Sequence, residues 1–214
     1  MDQKEALIQF LLRRADDTHI LGHRLGEWCG HGPVLEEDLA LSNVALDLIG
    51  QARNYLTYAG GLEGKGRDED DLAFLRNERQ YVNCKLVEQP NGDYAHTIVR
   101  GFLFDAWHLP YQEALANSGD ATIAAIAAKA VKEVTYHLKR DSEWLVRFGD
   151  GTEESHRRAQ EALDHLWTYT GELFDRVVLA QAFDIGGDRR GHVALAVAEA
   201  REQPDHCGVG VCGL

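Results

Sequence analysis

The chain has 214 residues, 44% of them hydrophobic, and a formal charge of -13. That length suits one domain with a real core, and the acidic balance disfavours phosphate backbones, which excludes nucleic acid as a natural partner. The apolar run Ala6 to Leu12 is cut short by Arg13, Arg14, Asp16 and Asp17, which argues against a secretory signal, and no stretch is long enough to span a membrane. Cys29, Cys84, Cys207 and Cys212 are too few and too irregular for a disulfide framework, so they predict a cytoplasmic chain whose cysteines are buried as small hydrophobes.

Sustained period-two alternation is absent, whereas helical periodicity recurs in five long blocks, so the sequence reads as all-α. The first predicted helix runs from Lys4 to about Cys29, with Leu7, Leu11, Ala15, Leu21, Leu25 and Trp28 at helical spacing and Gly30, Gly32 and Pro33 as its stop. The second runs from Leu35 to Ala59, its predicted core stripe being Leu35, Leu39, Ser42, Leu46, Ile49 and Leu56. Asn43, Asp47, Gln51 and Asn54 share another side of it, either a solvated face or a hydrogen-bonding surface for another subunit.

Between Glu63 and Pro90 the pattern is irregular, with a short helical signal at Leu72 to Arg76, and predicts a long ordered crossover. The third helix is predicted from Asp93 to about Asn117 with a kink at Pro110, and the fourth from Asp120 to Phe148. The fifth carries Leu163, Leu166, Thr170, Leu173 and Val177. A long connection between the second and third helices is the topology of ferritin-like bundles, so a ferritin-like up-down bundle over residues 1–182 is expected, followed by a divergent Gly- and Cys-containing tail over 183–214.

Such bundles can hold two metal ions, using one Glu from each of two helices and Glu-x-x-His from the other two. Here Glu27, Asp105 with His108, and Glu133 with Tyr136 and His137 come closest to that set. The second helix has no histidine, however, and Tyr136 occupies the i+3 place after Glu133, with His137 rotated about 100° from it. The expectation is therefore no metal site and no catalytic residue in this chain. Glu133, His137 and Asp141, at i, i+4 spacing, are expected to form a structural polar ladder. Glu27 and His31 share that spacing, but a histidine at a helix end is expected to meet the last carbonyls.

The segments Arg24-Leu-Gly-Glu-Trp-Cys-Gly-His31, Asp38-Leu-Ala-Leu-Ser-Asn-Val-Ala-Leu-Asp47, Gly50-Gln-Ala-Arg-Asn54, Val87-Glu-Gln-Pro-Asn-Gly92, Phe104-Asp-Ala-Trp-His108 and Lys132-Glu-Val-Thr-Tyr-His-Leu138 resemble the C-subunit family of bacterial phenylacetyl-CoA epoxidases. With Glu172-Leu-Phe-Asp175, the resemblance spans roughly residues 15 to 175. It implies a cytoplasmic ferritin-like subunit without its own di-iron centre. That subunit pairs with a di-iron catalytic A subunit in a hetero-oligomeric monooxygenase of phenylacetate catabolism. The complex forms the ring-1,2-epoxide of phenylacetyl-CoA with oxygen and with NADPH electrons, delivered by a flavin and iron-sulfur reductase. By the same resemblance, Gln80, Tyr81, Val82 and Asn83 approach the CoA portion of substrate at the shared interface. After Asp175 the family pattern is that of a longer chain with a Gly-rich His-Thr-Glu motif, so the end of this one reads as divergent, truncated or frameshifted. Two other readings stay open: a small di-metal carboxylate enzyme built on Glu27, Asp105, His108, Glu133 and His137, and an autonomous helical binding protein.

Overall fold

Two antiparallel helix pairs and a covering helix make up the structure, a computed structural model that describes residues 2–174. The predicted boundary at residue 182, the tail beyond it, Val177, Cys207 and Cys212 lie outside the described residues. Helix α1 is Gln3–Gly26 and α2 is Leu35–Glu63, and a tight turn folds them against each other along their length. The crossover then carries α3 (Glu69–Phe74), a 3-10 turn (Glu78–Gln80) and α4 (Lys85–Glu88). Helix α5 (Tyr94–Leu115) and α6 (Ala121–Asp150) form the second pair, and α7 (Glu153–Trp167) packs on both. Among the described residues there is no strand, and the arrangement is a ferritin-like helical bundle.

Local chemistry sets the helix starts. Asp93, Asp120 and Thr152 each accept a hydrogen bond from an otherwise unpaired N–H of the first turn of α5, α6 and α7. Pro110 lies within α5, which continues through it. The last helix differs from expectation: α7 stops at Trp167, where the Thr168 and Thr170 hydroxyls donate to the carbonyls of His165 and Trp167 and close a turn. Leu166 and Leu173 are buried on either side of that turn.

Helix α2 departs further from its predicted packing. The residues turned into the bundle are Leu41, Val44, Ala45, Leu48, Ala52, Tyr55, Leu56 and Ala59. Of the predicted stripe only Leu56 is in the core; Leu35, Leu39, Leu46 and Ile49 are exposed and Ser42 is half-buried. The helix is apolar on two faces, so periodicity could not choose between them. Close approach holds this face on α1: a Cβ on Gly22 would stand 3.0 Å from Ile49 Cγ1, 3.1 Å from the Ala45 carbonyl oxygen and 3.4 Å from Leu48 Cβ, so Ile49 sits at the edge of the contact. The cysteines divide too, with Cys84 buried as expected but Cys29 exposed.

Gly101 marks the other tight contact. A Cβ there would collide with Asp141 Oδ2, so α5 and α6 meet with a carboxylate directly over the glycine. Gly101→Ala is expected to lower the unfolding free energy by about 1–3 kcal/mol through overpacking, whereas Gly50→Ala, whose Cβ meets nothing within 4 Å, raises it slightly through helix propensity. Urea denaturation of the two variants checks this; equal shifts would contradict it.

Candidate functional site

The polar centre of the bundle lies where α2, α5 and α6 converge. His108, 2% exposed, has its Nε2 2.6 Å from Gln112 Nε2. Tyr55 Oη donates to Gln112 Oε1 at 3.0 Å and so turns the amide nitrogen toward the imidazole. Nε2 must therefore accept and the ring proton sits on Nδ1. Burial, then the nearby Arg14 and His137, hold the His108 pKa well below the usual imidazole value, so the ring is neutral. Asp105 Oδ1 stands 4.0 Å from His108 Nδ1, beyond hydrogen-bond reach. Burial, reinforced by Asp141, pushes the Asp105 carboxyl well above the usual carboxylate range.

On α6 it is His137 that faces the interior, 1% exposed, while Tyr136 is 51% exposed. The expectation that Tyr136 holds the inward position is thus corrected: the inward face of α6 runs through Ala130, Val134, His137 and Asp141, one residue on from the assumed register. Glu133, His137 and Asp141 share that side of the helix, and their hydrogen bonds reach different partners. Glu133 Oε2 accepts from Gln51 Nε2 at 2.9 Å, His137 Nε2 meets Asp47 Oδ2 at 3.1 Å, and Asp141 Oδ1 accepts from Arg140 Nη1 at 2.7 Å. Burial lowers the His137 pKa even against the pull of Asp47. Burial likewise raises the Asp141 carboxyl to about 7, with Arg140 opposing the shift. Arg140 also donates to Glu37 Oε2 at 2.6 Å and to Tyr94 Oη at 2.9 Å, and ties α2, α5 and α6 together.

These residues do not fit a metal. His108 Nε2 and His137 Nε2 face Gln112 and Asp47, Asp141 is held by a guanidinium, and a second cation, Lys129, lies 3.5 Å from Glu133, while the buried His108 Nδ1, His137 Nδ1 and Asp105 Oδ1 have no hydrogen-bond partner. Among the described residues no three His, Cys, Asp or Glu side chains are grouped to hold an ion. Glu27 is remote from the centre and accepts from Arg24 and Asn91, while His31 meets the carbonyl of Cys29 in the turn beyond α1 rather than one of the helix's last carbonyls. Of the second-helix polar line, Asp47 and Gln51 belong to the internal network and Asn43 is exposed.

The crossover residues are tied down by a pair of acids that helical periodicity did not single out. Asp16, fully buried, accepts from Arg76 through both carboxylate oxygens and from the Val82 N–H at 2.9 Å. Asp17 accepts from the Cys84 N–H at 2.7 Å and from Arg14 at 2.8 Å, and Arg14 lies over the rings of Trp107 and Tyr111. The Gln80 side chain caps the 3-10 turn, and Tyr81 donates to the Ala73 carbonyl with Arg76 stacked 4.4 Å above its ring. Asn83 donates to Glu88 at 2.8 Å. Tyr81 and Asn83 line a surface cleft of about 540 Å³ with His23, Arg24, Glu27, Glu78 and Glu88. Three carboxylates there oppose the phosphates of a CoA, and Arg24 is already engaged by Glu27 and the Glu88 carbonyl.

Beneath this crossover lies His19, whose ring centroid is 4.5 Å from that of His23 and 5.6 Å from that of Phe74. Burial, then His23, lowers its pKa to about 4. Between pH 6.5 and 4 the unfolded chain binds a proton that the folded one refuses, so the stability linked to neutral His19 is lost as pH falls through that window. His19→Gln removes this loss: its unfolding free energy should fall less than that of the wild type between pH 7 and 4. Parallel stability curves would contradict it.

A ferritin-like helical bundle with a buried polar interior is thus the class that fold and site define. The chain belongs to the family described as phenylacetic acid catabolic protein, which matches residues 1–197. It is similar to the C subunit of the 1,2-phenylacetyl-CoA epoxidase of Escherichia coli (strain K12), with 54% identity over 169 residues that cover 79% of this chain and 68% of the relative.

Proposed function

We propose that this chain is a non-catalytic structural subunit of a multicomponent phenylacetyl-CoA 1,2-epoxidase, acting in the cytoplasm in aerobic phenylacetate catabolism. Its partner in this reading is a di-iron catalytic A subunit of the same family. The electrons come from NADPH through a separate reductase with flavin and iron-sulfur groups, and phenylacetyl-CoA binds at or near the shared interface. The observation that carries the reading is the occupation of the bundle centre by the chain's own partners: Gln112 on His108, Asp47 on His137, Arg140 on Asp141 and Gln51 on Glu133. A ferritin-like subunit wired in this way contributes surface and rigidity, and its relative is by name one subunit of an epoxidase. Gln80, Tyr81, Val82 and Asn83 serve this role by fixing the crossover; any contact they make with CoA depends on cations supplied by the partner.

Co-purification with the companion A subunit, followed by iron quantification and phenylacetyl-CoA turnover, tests the reading. A stable complex is expected, with iron and activity that follow the A subunit and with neither in this chain alone. Stoichiometric iron and turnover from this chain by itself would overturn the proposal, as would failure of the two chains to associate.

A further inference from the structure

Asp105 Oδ1, His108 Nδ1 and His137 Nδ1 are buried without a hydrogen-bond partner, in side chains of residues that are 3%, 2% and 1% exposed. Their places on α5 and α6 bring them together. The two helices run antiparallel, and Gly101 and Asp141 mark a close contact between them. One turn from that contact, four residues on along α5 and four back along α6, stand Asp105 and His137, which therefore share a level of the bundle. His108 follows Asp105 by three residues, with its Nδ1 4.0 Å from Asp105 Oδ1, and its imidazole is close enough to that of His137 for the two to disfavour each other's charge.

The bonds on the far nitrogens decide which of these atoms give a proton and which receive one. Gln112 donates to His108 Nε2, so the ring proton is on Nδ1. His137 Nε2 faces Asp47 Oδ2, a carboxylate oxygen that only accepts. Burial disfavours a second proton on that ring, so its Nε2 holds the single proton and its Nδ1 is an acceptor. The cluster thus offers one donor, His108 Nδ1–H, and two acceptors, His137 Nδ1 and Asp105 Oδ1, with no two of them paired.

We propose that α5 and α6 hold an ordered water molecule here, which accepts from His108 Nδ1–H and donates to Asp105 Oδ1 and His137 Nδ1. Water matches the set because it receives and gives at once, and three polar partners are what a buried water ordinarily has. Two hydrogen bonds of about 2.8 Å that meet on one oxygen span the 4.0 Å between Asp105 Oδ1 and His108 Nδ1 at an angle of about 90°. A cation is a poor occupant, because the His108 N–H points its proton at it, and an anion is opposed by the two acceptors. The water is a polar joint that fixes one helix against the other at the level of Asp105, and the inference stands independently of the subunit reading.

The test uses the full chain with ¹⁵N-labelled histidine, its signals assigned with His108→Gln and His137→Gln. Nitrogen shifts should report opposite tautomers, Nδ1–H in His108 and Nε2–H in His137. A rotating-frame Overhauser spectrum should show a cross-peak of dipolar sign between His108 Nδ1–H and water, and Asp105→Leu, which replaces an acceptor by an apolar group, should abolish it while Asp105→Asn keeps it. A crystal structure of the wild type decides the matter whether or not Asp105→Leu folds. One water oxygen within about 2.6–3.2 Å of all three atoms supports the proposal. A direct Asp105–His108 hydrogen bond with no water between them, the same tautomer in both rings, or an atom bound at metal-ligand distances of about 2.0–2.2 Å would overturn it.

Discussion

Two adjacent carboxylates on α1 hold the position of everything that follows the first hairpin. Asp16 and Asp17 sit inside the fold, and between them they accept from Arg76, Arg14 and the backbone N–H groups of Val82 and Cys84. An unpaired buried carboxylate is prohibitively costly, and loss of one partner of such a pair typically costs about 3–5 kcal/mol. The acids therefore define where the crossover must lie, and the crossover in turn delivers α5 to its place beside α2. Arg100 secures the far end of the crossover: fully buried, it donates to the Gln89 carbonyl at 2.5 Å and to Asn91 Oδ1 at 2.6 Å just before α5 begins.

Once α5 and α6 are set against α2, the interior contains the titratable groups Asp105, His108, His137 and Asp141. Burial lowers the pKa of the His108 and His137 imidazoles and raises that of the Asp105 carboxyl, and Asp141 is paired with Arg140. Such a network fixes helix register by polar pairing instead of by coordination.

How much of this could be read from residues alone differs by element. The helix pairs and the long crossover were legible because Gly30 to Pro33, Pro90 to Gly92 and Asn117 to Asp120 interrupt strong apolar periodicity, and the caps Asp93 and Asp120 stand where those breaks end. The α2 stripe was assigned to the wrong surface because both faces of the helix carry apolar residues at helical spacing. Tyr136 and His137 exchanged roles because a one-residue difference in register cannot be settled without knowing where α2 and α5 sit. Asp16 and Asp17 read as a break in an apolar run, although Arg13, Arg14, Asp16 and Asp17 close together inside a predicted helix were the available sign of a buried ion-pair network. The motifs near Glu27, Asp47, His108 and His137 led to the family correctly, since the family match depends on residue identity and not on register.

The claim on which this account turns is that the buried polar residues of this chain are not arranged to hold a metal ion. The most direct measurement is titration of the isolated chain with Co²⁺ as a spectroscopic stand-in for Fe²⁺, following visible absorption and melting temperature in the wild type and in His108→Gln and His137→Gln. The account predicts no spectrum of a protein-bound ion and no stabilisation by stoichiometric metal in any of the three. Stoichiometric binding by the wild type, with a nitrogen-ligand spectrum lost in the histidine variants, would contradict it.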